Sequence, residues 1–133
     1  MPIIKAGCVL LSRDNSRIGL IYRPGRWDYS FPKGHIDEGE TLKTCAIRET
    51  EVESRIIPEI ILIEEIGVIR YDNDYEKDIE LHLFLAYENG TSSWNIEDEE
   101  IAEFIWVDKN EVYDTLSYSY LRDFWAKIKD RLC

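Results

Sequence analysis

The alternation of apolar and polar positions divides the chain into short segments typical of strands and two segments typical of helices. Residues 2–11 and 17–23 are apolar and rich in β-branched side chains, so they predict two strands joined by a polar turn. Residues 24–40 are rich in glycine and proline, which predicts a long structured loop and not a linker. The chain therefore begins with two strands followed by a loop.

Two later segments have helical spacing. Leu42, Cys45, Ala46, Glu49, Val52 and Glu53 share one helical face, which predicts a helix from Thr41 to about Ser54. Thr41 is a plausible N-cap of this helix. A second helix is predicted in the tail by the spacing of Leu121, Phe124, Ile128 and Leu132.

Three further strands are predicted at residues 60–71, 77–87 and 103–107. In the second of these, apolar side chains alternate along the segment from Ile79 to Leu85. The predicted order is β-β-loop-α-β-β-β-α. Strands interrupted by one helix and followed by another indicate an α/β (α+β) fold, in which a mixed central sheet lies between helices as an α/β/α sandwich.

Composition limits the classes of protein that the chain can form. With 133 residues, 44% of them hydrophobic, the chain has the size of a single domain spanning residues 1–133. The formal net charge of -11 disfavours nonspecific binding to nucleic acid or an anionic membrane. Cys8, Cys45 and Cys133 have no metal-site spacing, and no segment is apolar enough to act as a signal peptide or membrane span. We therefore expect a cytoplasmic protein with reduced thiols.

The segment from Gly34 to Ile56 carries the residues most relevant to chemistry. Glu49 and Glu53 are four residues apart, so a helix places their mutually repelling carboxylates on one face. A hard cation such as Mg²⁺ would offset this repulsion and would bridge to substrate phosphates. The alternative is a solvated, salt-bridged helix surface, since Arg48 and Arg55 are also present.

The same segment resembles the Nudix box. That pattern is Gly, five residues, Glu, seven residues, and then Arg-Glu-apolar-any-Glu-Glu-any-Gly-apolar. Its preceding sequence, Phe31-Pro32-Lys33-Gly34-His35, is similar to that of the diadenosine polyphosphate hydrolase branch of this MutT-like family. The matching residues are Gly34, Glu40, Arg48, Glu49, Glu53 and Ile56.

The resemblance implies a set of site residues. Glu49, Glu53 and the carbonyl of Gly34 would bind Mg²⁺ or Mn²⁺, and an activated water would attack a pyrophosphate chain. Glu40 and Arg48 would brace the loop, which also contains Gly39, against the helix. Many relatives add a loop carboxylate before the last strand, here Glu100, with Glu99 and Glu103 as alternatives. Glu100 could equally belong to an exposed acidic turn.

The box is incomplete at three positions. Val52 replaces a glutamate that is ordinarily a metal ligand, and valine offers no oxygen to a hard cation. Glu51 is no substitute, because one residue along a helix rotates the side chain by about 100°. Arg55 replaces a glycine after the helix, where a positive φ is often required, and Thr50 replaces an apolar residue. We therefore expect weakened metal affinity or low turnover.

Cationic and aromatic side chains near the box are candidates for binding substrate. Arg23, Lys33 and His35 are expected to contact phosphates, with Arg26 as a further cation. Trp27 is a candidate for stacking on a base, although aromatic residues are more often part of the core. His82, in a predicted strand, is expected to be structural.

Three functions follow, in order of preference. The first is metal-dependent hydrolysis of a pyrophosphate linkage in a dinucleoside polyphosphate or another nucleotide derivative. The second is a Nudix-fold module that binds a nucleotide or ADP-ribose with little cleavage, as Val52 indicates. The third is a scaffold that pairs with a second copy through an exposed aromatic tail, residues 118–125. We expect a monomer or homodimer.

Overall fold

A computed structural model describes residues 1–61, 64–91 and 103–132. Two 3₁₀ turns, Lys109–Glu111 and Lys129–Arg131, flank the last two helices. The strands and helices are β1 (Ile3–Leu11), β2 (Arg17–Arg23), β3 (Asp28–Ser30), β4 (Lys33–His35), α1 (Leu42–Ser54), β5 (Ile56–Ile60), β6 (Gly67–Tyr71), β7 (Ile79–Thr91), β8 (Glu103–Asp108), α2 (Val112–Thr115) and α3 (Ser119–Ile128).

The eight strands among the described residues form one mixed sheet, as predicted. β1 runs parallel to β7 from Ile3 opposite Ile79 to Leu11 opposite Tyr87, and the other pairings of described strands are antiparallel. β2 and β4 both pair with β1 on the edge away from β7, β2 near its end and β4 near its start. The sheet therefore divides beside β1, and β4 lies at this division.

Each face of the sheet has its own hydrophobic core. Val9 and Leu11 of β1 point into a cluster with α2 and α3, whereas Cys8 and Leu10 point into a cluster with α1. Successive side chains of a strand point to opposite faces, so a strand covered on both sides is buried along most of its length. This arrangement confirms the predicted sandwich of helices around a mixed sheet.

Helix α1 has the limits that the sequence predicts. The Thr41 side chain accepts a hydrogen bond from the backbone N–H of Thr44, which caps the first turn. At the other end Arg55 adopts a left-handed conformation with φ 62°. Arg55 stands where the box has a glycine, and the backbone adopts a positive φ at this residue.

Two strand predictions were wrong in detail. The segment 24–40 contains the three-residue strands β3 and β4, which are too short to show a periodic pattern. The predicted strand 60–71 is interrupted: β5 ends at Ile60 and β6 begins at Gly67. Both strands pair with β7. β5 lies opposite its later part and β6 lies opposite its start, so the two pairings are separate.

The tail helix is also confirmed, but its apolar face is not available to a partner. Leu121, Trp125 and Ile128 are each at most 2% exposed, because they pack into the core beneath the sheet. This burial removes the observation that favoured pairing through an exposed tail. No helix in the described ranges combines the length and apolar character needed to cross a membrane.

Candidate active site

The glycine of β4 and a glutamate of α1 are in contact at the site. Gly34 lies opposite Ala6 of β1, and the Glu49 side chain packs against its Cα. A Cβ built on Gly34 would lie 1.9 Å from Glu49 Oε2, so a side chain at residue 34 would displace this carboxylate. The absence of a side chain at residue 34 therefore allows the Glu49 carboxylate to sit beside β4.

Arg48 joins the preceding loop to this carboxylate. Its Nε and Nη2 donate to the two oxygens of Glu40 at 2.6 and 2.9 Å, and its Nη1 donates to Glu49. It also donates to the backbone carbonyl of His35 at 3.1 Å. The hydrogen bonds from Arg48, with one from the Asp37 backbone N–H, lower the pKa of Glu40 to about 2. Arg48 and Glu40 thus lie where a brace between loop and helix requires them. Gly39, with φ 84°, turns the same loop just before Glu40.

Glu53 lies one turn beyond Glu49 and is bound to the start of β4. Its Oε1 accepts a hydrogen bond of 2.6 Å from the backbone N–H of Lys33. Burial raises the pKa of Glu53, and the nearby Glu49 raises it further, while Lys33 opposes the change. Burial also lowers the pKa of Lys33 to about 8, against the attraction of Glu53. The two carboxylates and Lys33 therefore form one interacting group.

Arg23 is held by a residue that the sequence did not single out. Asp28, which is 2% exposed, accepts hydrogen bonds from Arg23 Nε at 2.8 Å and from Nη2 at 2.6 Å. The Tyr118 hydroxyl donates to the same carboxylate at 2.6 Å. Burial alone would raise the pKa of Asp28, but these hydrogen bonds outweigh it and keep the pKa below its usual value. Arg23 is consequently fixed in a single orientation.

His35 and Lys5, a cation that the sequence did not single out, share one carboxylate. Lys5 Nζ lies 2.9 Å from Glu76 Oε1, and His35 Nε2 lies 2.8 Å from Glu76 Oε2. Lys5 is opposite His35 in the pairing of β1 with β4. The sequence did not show the register of these two strands. It also did not show that the loop between β6 and β7, which carries Glu76, contacts them.

A narrow cleft lies beside these groups. The rings of Tyr71 and Tyr120 stack with centroids 4.3 Å apart, and those of Tyr118 and Tyr120 stack at 5.3 Å. The cleft is thus lined by both cationic and aromatic side chains. Its lining residues are Lys5, Arg23, Ser30, Lys33, Tyr71, Asn73, Tyr118, Tyr120 and Leu121.

The remaining predicted residues do not join this group. Trp27 is 83% exposed and does not line the cleft. Glu99 and Glu100 lie outside the described residues, as does Cys133, whereas Glu103 begins β8 and is exposed. His82 of β7 contacts Glu65 at 2.6 Å, which agrees with a structural role. Val52 is half-buried on α1 and contributes no oxygen.

Comparison with known sequences gives one family and one related protein of interest. The family model of the NUDIX domain matches residues 1–127. A Mycobacterium tuberculosis (strain CDC 1551 / Oshkosh) protein named as the mutator protein MutT4 is 34% identical over 119 residues, which are 86% of this chain. The match spans 46% of that relative, so this chain corresponds to less than half of its length.

Solved structures show the same fold. An Ap4A hydrolase from C. elegans superposes with a TM-score of 0.77 at 22% identity and full coverage of both chains. A NUDIX hydrolase from Nitrosomonas europaea superposes with a TM-score of 0.79 at 14% identity, covering 98% of this chain and 90% of that one. Since the family model matches residues 1–127, nearly the whole chain, the protein is a member of the NUDIX family.

Proposed function

We propose that this protein hydrolyses the pyrophosphate linkage of a nucleoside diphosphate derivative with the help of a divalent metal ion. The observation that carries the proposal is the grouping of Glu49 and Glu53 against β4, next to a cleft lined by Lys5, Arg23 and Lys33. Carboxylates that bind a cation, next to cationic side chains that bind phosphates, form an arrangement suited to phosphoryl chemistry.

The donor groups fit Mg²⁺ or Mn²⁺ in kind. Glu49, Glu53 and the carbonyl of Gly34 supply oxygen, which both ions accept, and Mg²⁺ retains water at open positions. In the described ranges, no three His, Cys, Asp or Glu side chains converge on one point. The proposed set is therefore two carboxylates and one carbonyl, completed by water and by Glu100 if that residue reaches the site.

When bound, the ion would lower the pKa of a coordinated water and offset the charge of the bridging phosphates. The side chains have separate tasks in this scheme. Glu49 and Glu53 hold the ion, and Arg48 orients Glu49 while tying it to Glu40. Lys33 and Arg23 bind the phosphate chain. Lys33 acts as a point charge, and Arg23 donates from the guanidinium N–H groups that do not bind Asp28.

The aromatic side of the cleft supports a substrate that contains a nucleoside. The stacked tyrosines Tyr71, Tyr118 and Tyr120 line the same narrow cleft as the cations, so a base would lie beside aromatic rings and its phosphates beside cations once the cleft widens. The similarity to an Ap4A hydrolase and the sequence that precedes the box favour a dinucleoside polyphosphate. A smaller nucleotide is the alternative.

A second function is supported by Val52. With one ordinary ligand position filled by valine, the protein could bind a nucleotide or ADP-ribose without efficient cleavage. The two functions differ in one property: an enzyme turns over with metal, whereas a binding module retains its ligand unchanged.

The proposed function is tested by product release from dinucleoside polyphosphates, nucleoside triphosphates and ADP-ribose, with Mg²⁺, Mn²⁺ or a chelator. We expect turnover that requires metal and falls by about 100-fold or more in Glu53→Gln. Glu51→Gln is the matched control, since it removes the same charge from α1 and should retain activity within about threefold. Binding without turnover by the wild type would favour the binding module.

A further inference from the structure

Each of the three cations that line the cleft has a carboxylate nearby. Arg23 is bound to Asp28, Lys5 is bound to Glu76, and Lys33 interacts with Glu53. A substrate phosphate entering the cleft must therefore share these cations with the carboxylates or displace one of them.

The three carboxylates differ in how readily they can move. Asp28 is 2% exposed and is held by Arg23 and Tyr118. Glu53 is anchored on α1 and accepts a hydrogen bond from the backbone of β4. Glu76 belongs to the loop between β6 and β7, and 26% of its side chain is exposed. Glu76 is therefore the carboxylate that can leave without disturbing the core.

The loop that carries Glu76 also narrows the cleft. Asn73 lines the cleft, and its side chain accepts hydrogen bonds from the backbone N–H groups of Tyr75 and Glu76 at 2.8 and 2.7 Å. These bonds make Asn73 and Glu76 parts of one turn. The free space in the cleft is close to that of one water molecule, so a phosphoryl group requires this turn to move.

We propose that Lys5 and His35 form a phosphate subsite which the Glu76 carboxylate fills until a substrate phosphoryl group displaces it. Carboxylate and phosphate oxygens are both anionic acceptors. The Glu76 carboxylate lies 2.9 Å from Lys5 Nζ and 2.8 Å from His35 Nε2. A phosphoryl oxygen at the same position would make the same contacts. The inference rests on the proposed function, because it assigns the ligand as part of a nucleotide substrate.

Displacement of Glu76 has a measurable cost. Because Glu76 competes with the ligand for Lys5 and His35, phosphate binding is weakened by the free energy needed to separate these groups. A glutamine at residue 76 keeps the size of the side chain and an acceptor oxygen but competes less strongly, since it carries no charge. Binding of a phosphate ligand should therefore become tighter.

The test measures binding of inorganic pyrophosphate and of ADP by calorimetry in the presence of a chelator, so that neither metal nor turnover is involved. We expect Glu76→Gln to bind both ligands about five- to tenfold more tightly than the wild type. Glu59→Gln is the matched control: it removes the same charge from an exposed residue of β5, opposite Tyr87 and away from the loop. This control should bind like the wild type.

A second measurement needs no variant. Pyrophosphate added to the isotopically labelled wild type should shift the backbone amide signals of Tyr75 and Glu76, because their hydrogen bonds to Asn73 belong to the turn that moves. Equal or weaker binding by Glu76→Gln, binding to neither protein, or unchanged signals of this turn at saturation would overturn the subsite. Since no turnover is measured, these outcomes are independent of whether the protein hydrolyses any substrate in the panel.

Discussion

Glu49 fills the space that a side chain at residue 34 would need, since a Cβ on Gly34 would lie 1.9 Å from Glu49 Oε2. The glycine of the box thus has a steric role besides the carbonyl oxygen that we propose for the metal. It sets the position of a carboxylate fifteen residues later in the chain by leaving that space empty.

Substitution of this glycine tests the relationship. In Gly34→Ala the new methyl group forces Glu49 away from β4 and disturbs its contact with Arg48. We expect turnover to fall by at least tenfold and the free energy of unfolding to fall by about 1–3 kcal/mol. Steady-state kinetics and urea unfolding measure the two effects.

Gly25→Ala is the matched control for that substitution. A Cβ at residue 25 meets no atom within 4 Å, and the residue has no positive φ. It should therefore change turnover and stability little. A fully active, equally stable Gly34→Ala protein would contradict the close packing of Glu49 on residue 34.

Restoring the missing box carboxylate should strengthen metal binding. Val52→Glu adds a carboxylate next to Glu49 and Glu53 on α1, which increases the attraction for a divalent ion. We expect the Mg²⁺ concentration for half-maximal activity to fall by about tenfold. Val52→Gln, which has the same size but no charge, separates the effect of charge from that of shape; equal activation by both variants would argue against a ligand role for residue 52.

Removing the charge of Asp28 should weaken both the fold and substrate binding. Asp28→Asn loses the two-point pairing with Arg23 in a nearly inaccessible position and should lower the free energy of unfolding by about 2–3 kcal/mol. Because Arg23 is then less well oriented, KM should rise more than kcat falls. In contrast, Asp108→Asn breaks an exposed contact with Arg17 and should cost less than about 0.5 kcal/mol.

The residue after α1 offers a gain in stability. Arg55 adopts φ 62°, a conformation that costs residues with a Cβ about 1 kcal/mol and glycine much less. Arg55→Gly should therefore be more stable than Arg55→Ala by about 1 kcal/mol in urea unfolding. Both variants lose the arginine side chain, so their difference reports the backbone alone, and an alanine variant as stable as the glycine variant would refute it.

The Glu40 carboxylate should make stability depend on acid pH. Its pKa in the folded protein is about 2, below the ordinary value of 4.5, because Arg48 and the Asp37 N–H favour the charged form. The stabilisation that the ionised Glu40 carboxylate contributes is fully present above about pH 4.5 and is lost as the pH falls towards 2. The difference in unfolding free energy between the wild type and Glu40→Gln should shrink over this range.

An exposed carboxylate of the same loop is the control for this titration. Glu38→Gln removes an equal charge without removing a contact to Arg48, so its difference from the wild type should change less between pH 4.5 and 2. If the difference in unfolding free energy between the wild type and Glu40→Gln stayed constant with pH, ionisation of the Glu40 carboxylate would not stabilise the fold.

The sequence predicted the parts of the fold that local patterns determine. The limits of α1 follow from the Thr41 cap and the helical spacing of apolar residues, and β2 follows from an apolar run between polar turns. The break between Ile60 and Gly67 was not predicted, because apolar residues lie on both sides of Glu64 and Glu65, and its cause is the pairing of β5 and β6 with different parts of β7. Such long-range register leaves no local signal.

The site shows the same division. Gly34, Glu40, Arg48, Glu49 and Glu53 lie in one short segment, so their spacing alone indicated that they act together. Lys5, Asp28, Glu76 and Tyr118 come from β1, β3, a loop and the residue before α3, and none belongs to a recognisable motif. Lys5 and Tyr118 line the cleft, and Asp28 and Glu76 bind its cations, only through the packing of the sheet, which the sequence pattern does not specify.

The parallel pairing of β1 with β7 has a consequence for how the protein reaches its native state. This pairing joins the first strand to one that begins at Ile79, so a large loop of chain must close before the central sheet exists. Folding rates fall as such distant contacts increase. Since β4 is held on the other edge of β1, a nascent chain released before β7 is synthesised would contain every box residue and yet leave β1 with an unpaired edge, so the sheet beneath the site would be incomplete.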